Sequence, residues 1–169
     1  AGLIVELGRQ VIEKAFRQQR IWRDAGAPDL PLCINLAPRQ LHHDTLVDDI
    51  TAAALQHQVD PRTVSLEITE NTLSRNSDAA SAVIGRLRDA GFRIAIDDFG
   101  TGYSSLSYLK RLPVAILKID RSFVSHLGED PRDHAIIASI VALAGACGLE
   151  VVAEGIETQA QAALLGQIG

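Results

Sequence analysis

The sequence predicts an α/β fold, a (β/α)8 TIM-like barrel of which about five of the eight strands lie in this chain. Three observations predict it. Short aliphatic runs alternate with amphipathic helical stretches, the pattern of parallel strands joined by crossovers. Acidic, amide or lysine side chains sit at the C-terminal end of each run. The intervals Asn35 to Glu67 and Glu67 to Asp97 are each close to the roughly 31 residues per unit that a ~250-residue barrel allots.

The strands read, in order, as Leu32 to Leu36, Val64 to Ile68, Arg93 to Asp98, Ala115 to Asp120 and Leu149 to Glu154. Each runs almost continuously apolar, as a strand buried on both faces does. Between them lie helical patterns. Leu7 to Ala25 carries Val11, Ala15, Ile21 and Trp22 on a charged background, and Asp44 to Gln58 carries Leu46, Val47, Ile50, Ala54 and Leu55. Asp78 to Ala90 places Val83, Ile84 and Leu87 before a stop at Gly91; Asp133 to Cys147 places Ile136, Ile137, Ile140, Val141 and Ala144 before Gly148. Each helix opens near a polar cap or an acidic first turn.

An open doubly wound sheet competes with the barrel. It concentrates its site at one switch point and leaves outer strands without a role, whereas a barrel brings every strand end to one mouth. Five strands do not close an eight-stranded barrel, and an open parallel sheet exposes apolar edges. The expectation is therefore that residues 1–169 are a partial domain, with the first strand and the last strand lying outside it or supplied by another chain. The absence of methionine and of a basic leader at Ala1-Gly2-Leu3 fits a piece of a longer protein, with a sensor or membrane anchor elsewhere.

Of the 169 residues 47% are hydrophobic, which excludes a disordered chain. The net charge of -5 argues against binding of DNA or RNA polymers. Cys33 and Cys147 lie far apart with no CxxC pattern and read as buried apolar fillers, usage that suits a reducing cytoplasm. No run approaches the roughly 18 apolar residues of a membrane span, so no membrane contact is expected of this segment. The five histidines, His42, His43, His57, His126 and His134, read as surface residues, and no GxSxG occurs.

The chemistry lies in the strand-end set Asn35, Glu67, Asp97, Asp98, Lys118, Asp120 and Glu154. Singly, each acid reads as a helix cap or a solvated strand end. Together, five carboxylates facing one cavity are costly unless cations neutralise them. Hard oxygen donors of this kind suit Mg2+ or Mn2+ rather than zinc. Adjacent Asp97 and Asp98 are placed to serve two metals, a recurrent arrangement for in-line attack on a phosphodiester. Lys118 either neutralises neighbouring acids or orients the attacking water. Gly100 and Gly102 after the paired aspartates read as a tight turn or as a mobile loop over the site.

At these residues the chain resembles the EAL domain family. Asp97 to Ser105 is similar to the family's DDFGTGYSS signature. Asn35-Leu36-Ala37, Glu67-Ile68-Thr69-Glu70, Leu117-Lys118-Ile119-Asp120 and Ala153-Glu154-Gly155-Ile156-Glu157-Thr158 match its NLS, EITE, LKID and AEGVET motifs in order. The resemblance implies an EAL-type barrel that hydrolyses cyclic di-GMP to linear pGpG with Mg2+ or Mn2+, Ca2+ inhibiting. It implies Asn35, Glu67, Asp97 and Asp98 as metal ligands, with Asp97 bridging. It implies Lys118 holding the nucleophilic water and Glu154 as general base or second-site ligand. Asp120 and Glu157 would support water or substrate, and Glu70 would tether the Asp97-Asp98 loop. That loop and the helix after it would help form a homodimer, and sensor or GGDEF-type domains would accompany the domain in its parent chain.

The sequence departs from the family at Ala37, where serine is usual; that hydroxyl is not a metal ligand. The Glu-Ala-Leu strand, its nearby arginine and a Gln-Gly-Tyr-Leu-Phe-type strand are not in this chain. The alternative reading is a catalytically inactive cyclic di-GMP receptor or a dimerisation module. Such relatives lose metal ligands, and none is lost within this stretch.

Overall fold

The computed structural model describes residues 2–28, 30–75, 77–102, 109 and 112–169. The elements in order are α1 (Leu3–Asp24), β1 (Leu32–Asn35), α2 (Leu46–His57), β2 (Val64–Thr69), α3 (Glu70–Arg75), α4 (Ser77–Asp89), β3 (Arg93–Phe99), β4 (Ile116–Ile119), α5 (Arg121–Ser125), α6 (Pro131–Cys147), β5 (Glu150–Ala153) and α7 (Gln159–Ile168). Single 3-10 turns at Gln40–His42 and Pro61–Thr63 lie on either side of α2.

All four strand pairings are parallel, and the strands follow one another in the order β1-β2-β3-β4-β5. That order decides between the two architectures. A doubly wound sheet reverses its strand order at the switch point; here nothing reverses, so the sheet is wound in one direction, as a barrel wall is. One face presents Ile34, Leu66, Ile68, their register partners Ile94 and Ile96, then Leu117 and Ile119, which join helix residues Phe16, Ile50, Ile84, Leu87, Ile137 and Ala144 in one core. The registers Asn35 to Glu67, Thr69 to Asp97 and Ala95 to Ile116 bring the polar strand residues to the other face.

The central strands β2 and β4 are buried almost throughout, as their continuous apolar runs predict. The outer strands β1 and β5 instead alternate between more and less exposed residues, because each lacks a neighbour on one side among the described residues. The predicted stops hold: Gly91 and Gly148 sit at φ +97° and +70°, left-handed values that glycine adopts without a Cβ penalty. Asp130 caps α6 by accepting from the Arg132 N–H, with Pro131 in the first turn.

Three expectations fail. The buried side of α1 is Ile12, Phe16 and Gln19, not the predicted stripe, whose Val11, Ile21 and Trp22 are 47%, 48% and 39% exposed. A polar residue disguised the core face: the Gln19 Nε2 donates to the Leu30 carbonyl at 2.7 Å and to Thr63 Oγ1 at 3.1 Å, which makes its burial tolerable. Cys33 and Cys147 are both exposed free thiols rather than buried fillers, Cys33 because it lies on the open β1. His57 is half-buried rather than on the surface, because its Nε2 meets Glu13 Oε1 at 2.6 Å between α1 and α2. No helix among the described residues is long and apolar enough to cross a membrane.

Candidate active site

Each strand, or the residue just after it, contributes at least one polar side chain at the same end of the sheet. Strand pairing sets Asn35 beside Glu67, and the Glu154 N–H continues the β5 ladder by donating to the Ile119 carbonyl at 3.1 Å. Lys118 stands at the centre. Its Nζ is 2.6 Å from Glu154 Oε1, 2.8 Å from Glu67 Oε2 and 2.9 Å from Asp97 Oδ1, and its side chain is 10% exposed. Burial alone would lower the lysine's affinity for its proton. Its contacts with Glu154, Glu67 and Asp97 overcome this and raise its pKa above the ordinary value, so the ammonium stays charged.

Asp97 and Asp98 reach the same region because the strand is not regular there. In an even β-strand consecutive side chains point to opposite faces. The register between β3 and β4 shifts between Ile96 and Phe99, and Asp98 takes φ +54°, a left-handed value uncommon outside glycine. This bulge brings Asp98 close to Asp120. Burial, then the charges of Asp97 and Asp120, raise the Asp98 carboxyl above its usual range. Asp120 moves the opposite way, because its carboxylate accepts from Ser122, whose backbone N–H lies 2.9 Å away at the start of α5.

Glu70 supports the bulge. It is buried, and its Oε2 accepts from the Gly100 N–H at 2.9 Å, two residues past Asp98. A Cβ added to Gly102 would lie 2.9 Å from Glu70 Oε1, so Gly102 packs directly on this carboxylate. Tyr103 to Tyr108, which carry the rest of the signature loop, lie outside the described residues. Glu157 is exposed and engages the fold through its backbone, its N–H donating to Gln161 Oε1 at 2.9 Å.

Several residues escaped the sequence reading. Gln161 organises the turn after Glu154: with Thr158 it forms a capping box at α7, and its Nε2 donates to the Val124 carbonyl at 3.2 Å. The spacing Thr158-x-x-Gln161 is the signal that would have found it. Cys33 lies two residues before Asn35 and so shares its face; burial and then the Glu67 charge push its thiol up. Arg93 Nη2 reaches Glu150 Oε2 at 2.6 Å at the N-terminal ends of β3 and β5, away from the acid cluster.

The donor set fits a hard divalent cation in chemistry and charge. It is built of carboxylate oxygens plus an amide, with one lysine against several acids. Asp97 Oδ1 is buried and, although near the ammonium, makes no aligned hydrogen bond, which leaves a lone pair open. Among the described residues no three His, Cys, Asp or Glu side chains stand together as a ready cage; the lysine separates the acids.

A sheet wound in one direction with acids at its strand ends defines a (β/α)8-type domain whose site lies at the C-terminal edge of the strands. The chain belongs to the EAL domain family, whose model matches residues 1–169. It is 47% identical over 168 residues to the bifunctional diguanylate cyclase/cyclic di-GMP phosphodiesterase MucR of Pseudomonas aeruginosa, covering 99% of this chain and 24% of that protein. A solved MucR phosphodiesterase in complex with c-di-GMP superposes with a TM-score of 0.93 at 47% identity, over 99% of this chain and 68% of that one. Klebsiella pneumoniae BlrP1, solved with manganese and cyclic di-GMP, matches with a TM-score of 0.87 at 32% identity, over 98% of this chain and 42% of that one. The chain spans about a quarter of the length of the curated relatives it matches.

Proposed function

We propose that this chain is the larger part of an EAL-type phosphodiesterase domain that hydrolyses cyclic di-GMP to linear pGpG. The observation that carries the reading is the convergence of Glu67, Asp97 and Glu154, from three strands, on Lys118 within 2.6–2.9 Å. Asn35, Glu67, Asp97 and Asp98 would hold two divalent ions, Mg2+ or Mn2+, with Ca2+ inhibitory. The ions would supply charge neutralisation of the phosphodiester and a more acidic water. Glu154 accepts a proton from the attacking water, and Lys118 orients that water. Attack on phosphorus breaks the bond to the 3′ oxygen, which takes a proton from solvent as it leaves. Asp120 braces Asp98, Glu70 holds the loop, and Glu157 sits at the rim for water or substrate.

Two further proposals concern context. The domain forms a homodimer through the loop and helix after Asp98, supported by a shallow apolar groove between Gly100 and the α6 residues Ile136, Ser139 and Leu143. The share of MucR that this chain covers supports sensor or GGDEF-type domains in the same polypeptide; a cytoplasmic site of action goes with this proposal. The test is hydrolysis of cyclic di-GMP followed by chromatography of pGpG with Mn2+, Mg2+ or Ca2+. Metal-dependent appearance of pGpG is expected; tight binding without turnover in Mn2+ would overturn the enzymatic reading in favour of a receptor.

A further inference from the structure

Glu154 is the most exposed of the three carboxylates that meet Lys118, and its strand pairs with β4 alone among the described residues. Its backbone N–H is held by the Ile119 carbonyl, but the chain beyond it, Gly155 to Glu157, belongs to no helix or strand. Two contacts tie that turn to α5. Gly155, at a left-handed φ of +73°, lets the chain pass so close to Arg121 that an added Cβ would lie 2.6 Å from the Arg121 Cβ. The second contact is Gln161, which is buried. Its Oε1 accepts from the Glu157 N–H at 2.9 Å and the Thr158 N–H at 3.0 Å, and its Nε2 donates to the Val124 carbonyl at 3.2 Å and the Ser125 carbonyl at 3.4 Å. All four hydrogen-bonding positions of the amide are thereby filled.

A capping box needs only the acceptor half of that amide, and glutamate serves there as well as glutamine. The positive end of α7 would even favour the glutamate. The donor half does something capping does not call for: it reaches across to carbonyls left unpaired at the end of α5. That helix starts at Arg121 behind its cap Asp120, two residues after Lys118, so the amide links the segment that follows the lysine to the segment that follows the glutamate. We propose that Gln161 is a positioning residue, which clamps the turn after β5 to α5 and so holds Glu154 against Lys118, the pair that stands 2.6 Å apart. This rests on the hydrolytic reading above, in which those two groups deprotonate and orient the attacking water.

The experiment measures cyclic di-GMP hydrolysis in saturating Mn2+, melting temperature and hydrogen exchange for the protein and two variants. Gln161→Glu keeps acceptors for Glu157 and Thr158 and loses the donors to α5. Thr158→Ala removes the hydroxyl that accepts from the Gln161 N–H and leaves the amide bridge in place. The expected result is a split. Gln161→Glu loses kcat about tenfold or more, as a misplaced base does, with KM within about twofold. Thr158→Ala melts lower, as loss of a cap requires, yet keeps kcat within about twofold. In Gln161→Glu the Leu127 amide, which donates to the same Val124 carbonyl, exchanges faster, while the Glu157 and Thr158 amides keep their protection. If Gln161→Glu does not fold, Gln161→Asn, one methylene too short to reach both segments, takes its place with the same loss of kcat expected. Wild-type kcat in the Gln161 variant, or a kcat that falls in step with melting temperature across all variants, overturns the proposal and leaves Gln161 a helix cap. If the unsubstituted protein forms no pGpG, it is the hydrolytic reading that falls, and unchanged Leu127 protection in Gln161→Glu overturns the clamp independently of turnover.

Discussion

Glu70→Ala isolates the brace behind the paired aspartates. The substitution removes the acceptor of the Gly100 N–H, a hydrogen bond to a charged group worth about 1.5–3 kcal/mol. It also removes the Glu70 Oε1, a buried oxygen with no hydrogen-bond partner, whose desolvation costs about 1–3 kcal/mol. These terms oppose each other, so net stability should change by only about 1 kcal/mol, a shift of roughly 2–4 °C in melting temperature. Turnover should respond far more. Asp98 holds a left-handed conformation inside a bulge, and without the brace the aspartates have room to move; a displacement near 1 Å costs on the order of a hundredfold in rate. The assay is steady-state hydrolysis of cyclic di-GMP in Mn2+, with Glu70→Gln as the control that keeps a carbonyl acceptor for Gly100. The Ala variant should lose kcat at nearly constant KM, and the Gln variant should keep most of it. Wild-type kcat in the Ala variant would refute the tether, and equal losses in both would assign the effect to charge instead.

Glu154→Gln should reduce turnover to background while calorimetry shows cyclic di-GMP affinity within a few-fold of wild type; retained turnover would remove the glutamate from its role as base. Asp98→Asn keeps a residue that tolerates the left-handed backbone but removes a carboxyl whose pKa is raised first by burial and then by its acidic neighbours. A raised folded-state value means that stability is full below the unfolded pKa and is lost as pH rises through the folded one. The metal-free Asn variant should therefore melt above wild type at neutral pH, with the gap closing below about pH 4, and should gain less from Mn2+. Gly155→Ala places a Cβ 2.6 Å from the Arg121 Cβ at φ +73°, so urea titration should show at least the ~1–2 kcal/mol of a left-handed alanine and a matching fall in turnover.

Much of the architecture was legible because each strand is a nearly unbroken aliphatic run, α4 and α6 stop at glycines, and α6 and α7 open at side-chain caps. The site was legible only to the level of strand ends. Period-two alternation sends Asp97 and Asp98 to opposite faces, and nothing in their local sequence announces the bulge that reunites them. Lys118 is readable as an interior residue, but its place as the common partner of three acids depends on the register of strands far apart in sequence. The core side of α1 was missed because Gln19 is polar by type yet buried, its amide N–H groups taken up by Leu30 and Thr63, partners that lie outside the helix. Cys33 was missed because burial of a cysteine was inferred from its type, whereas its exposure follows from the edge position of β1.

The sequential strand order has a consequence for how the chain assembles. Every sheet pairing joins a strand to the next one along, so each docking step closes only one crossover loop, which keeps its entropic cost modest. Docking β2 on β3 gathers Glu67 and Asp97 before any cation is covalently nearby to oppose their repulsion. Arrival of β4 delivers Lys118 between them, and β5 then adds Glu154 to the same ammonium. Electrostatics thus penalises a half-built sheet that stops at β3 and rewards completion through β4, so the residues that would serve the reaction also discourage partly assembled states.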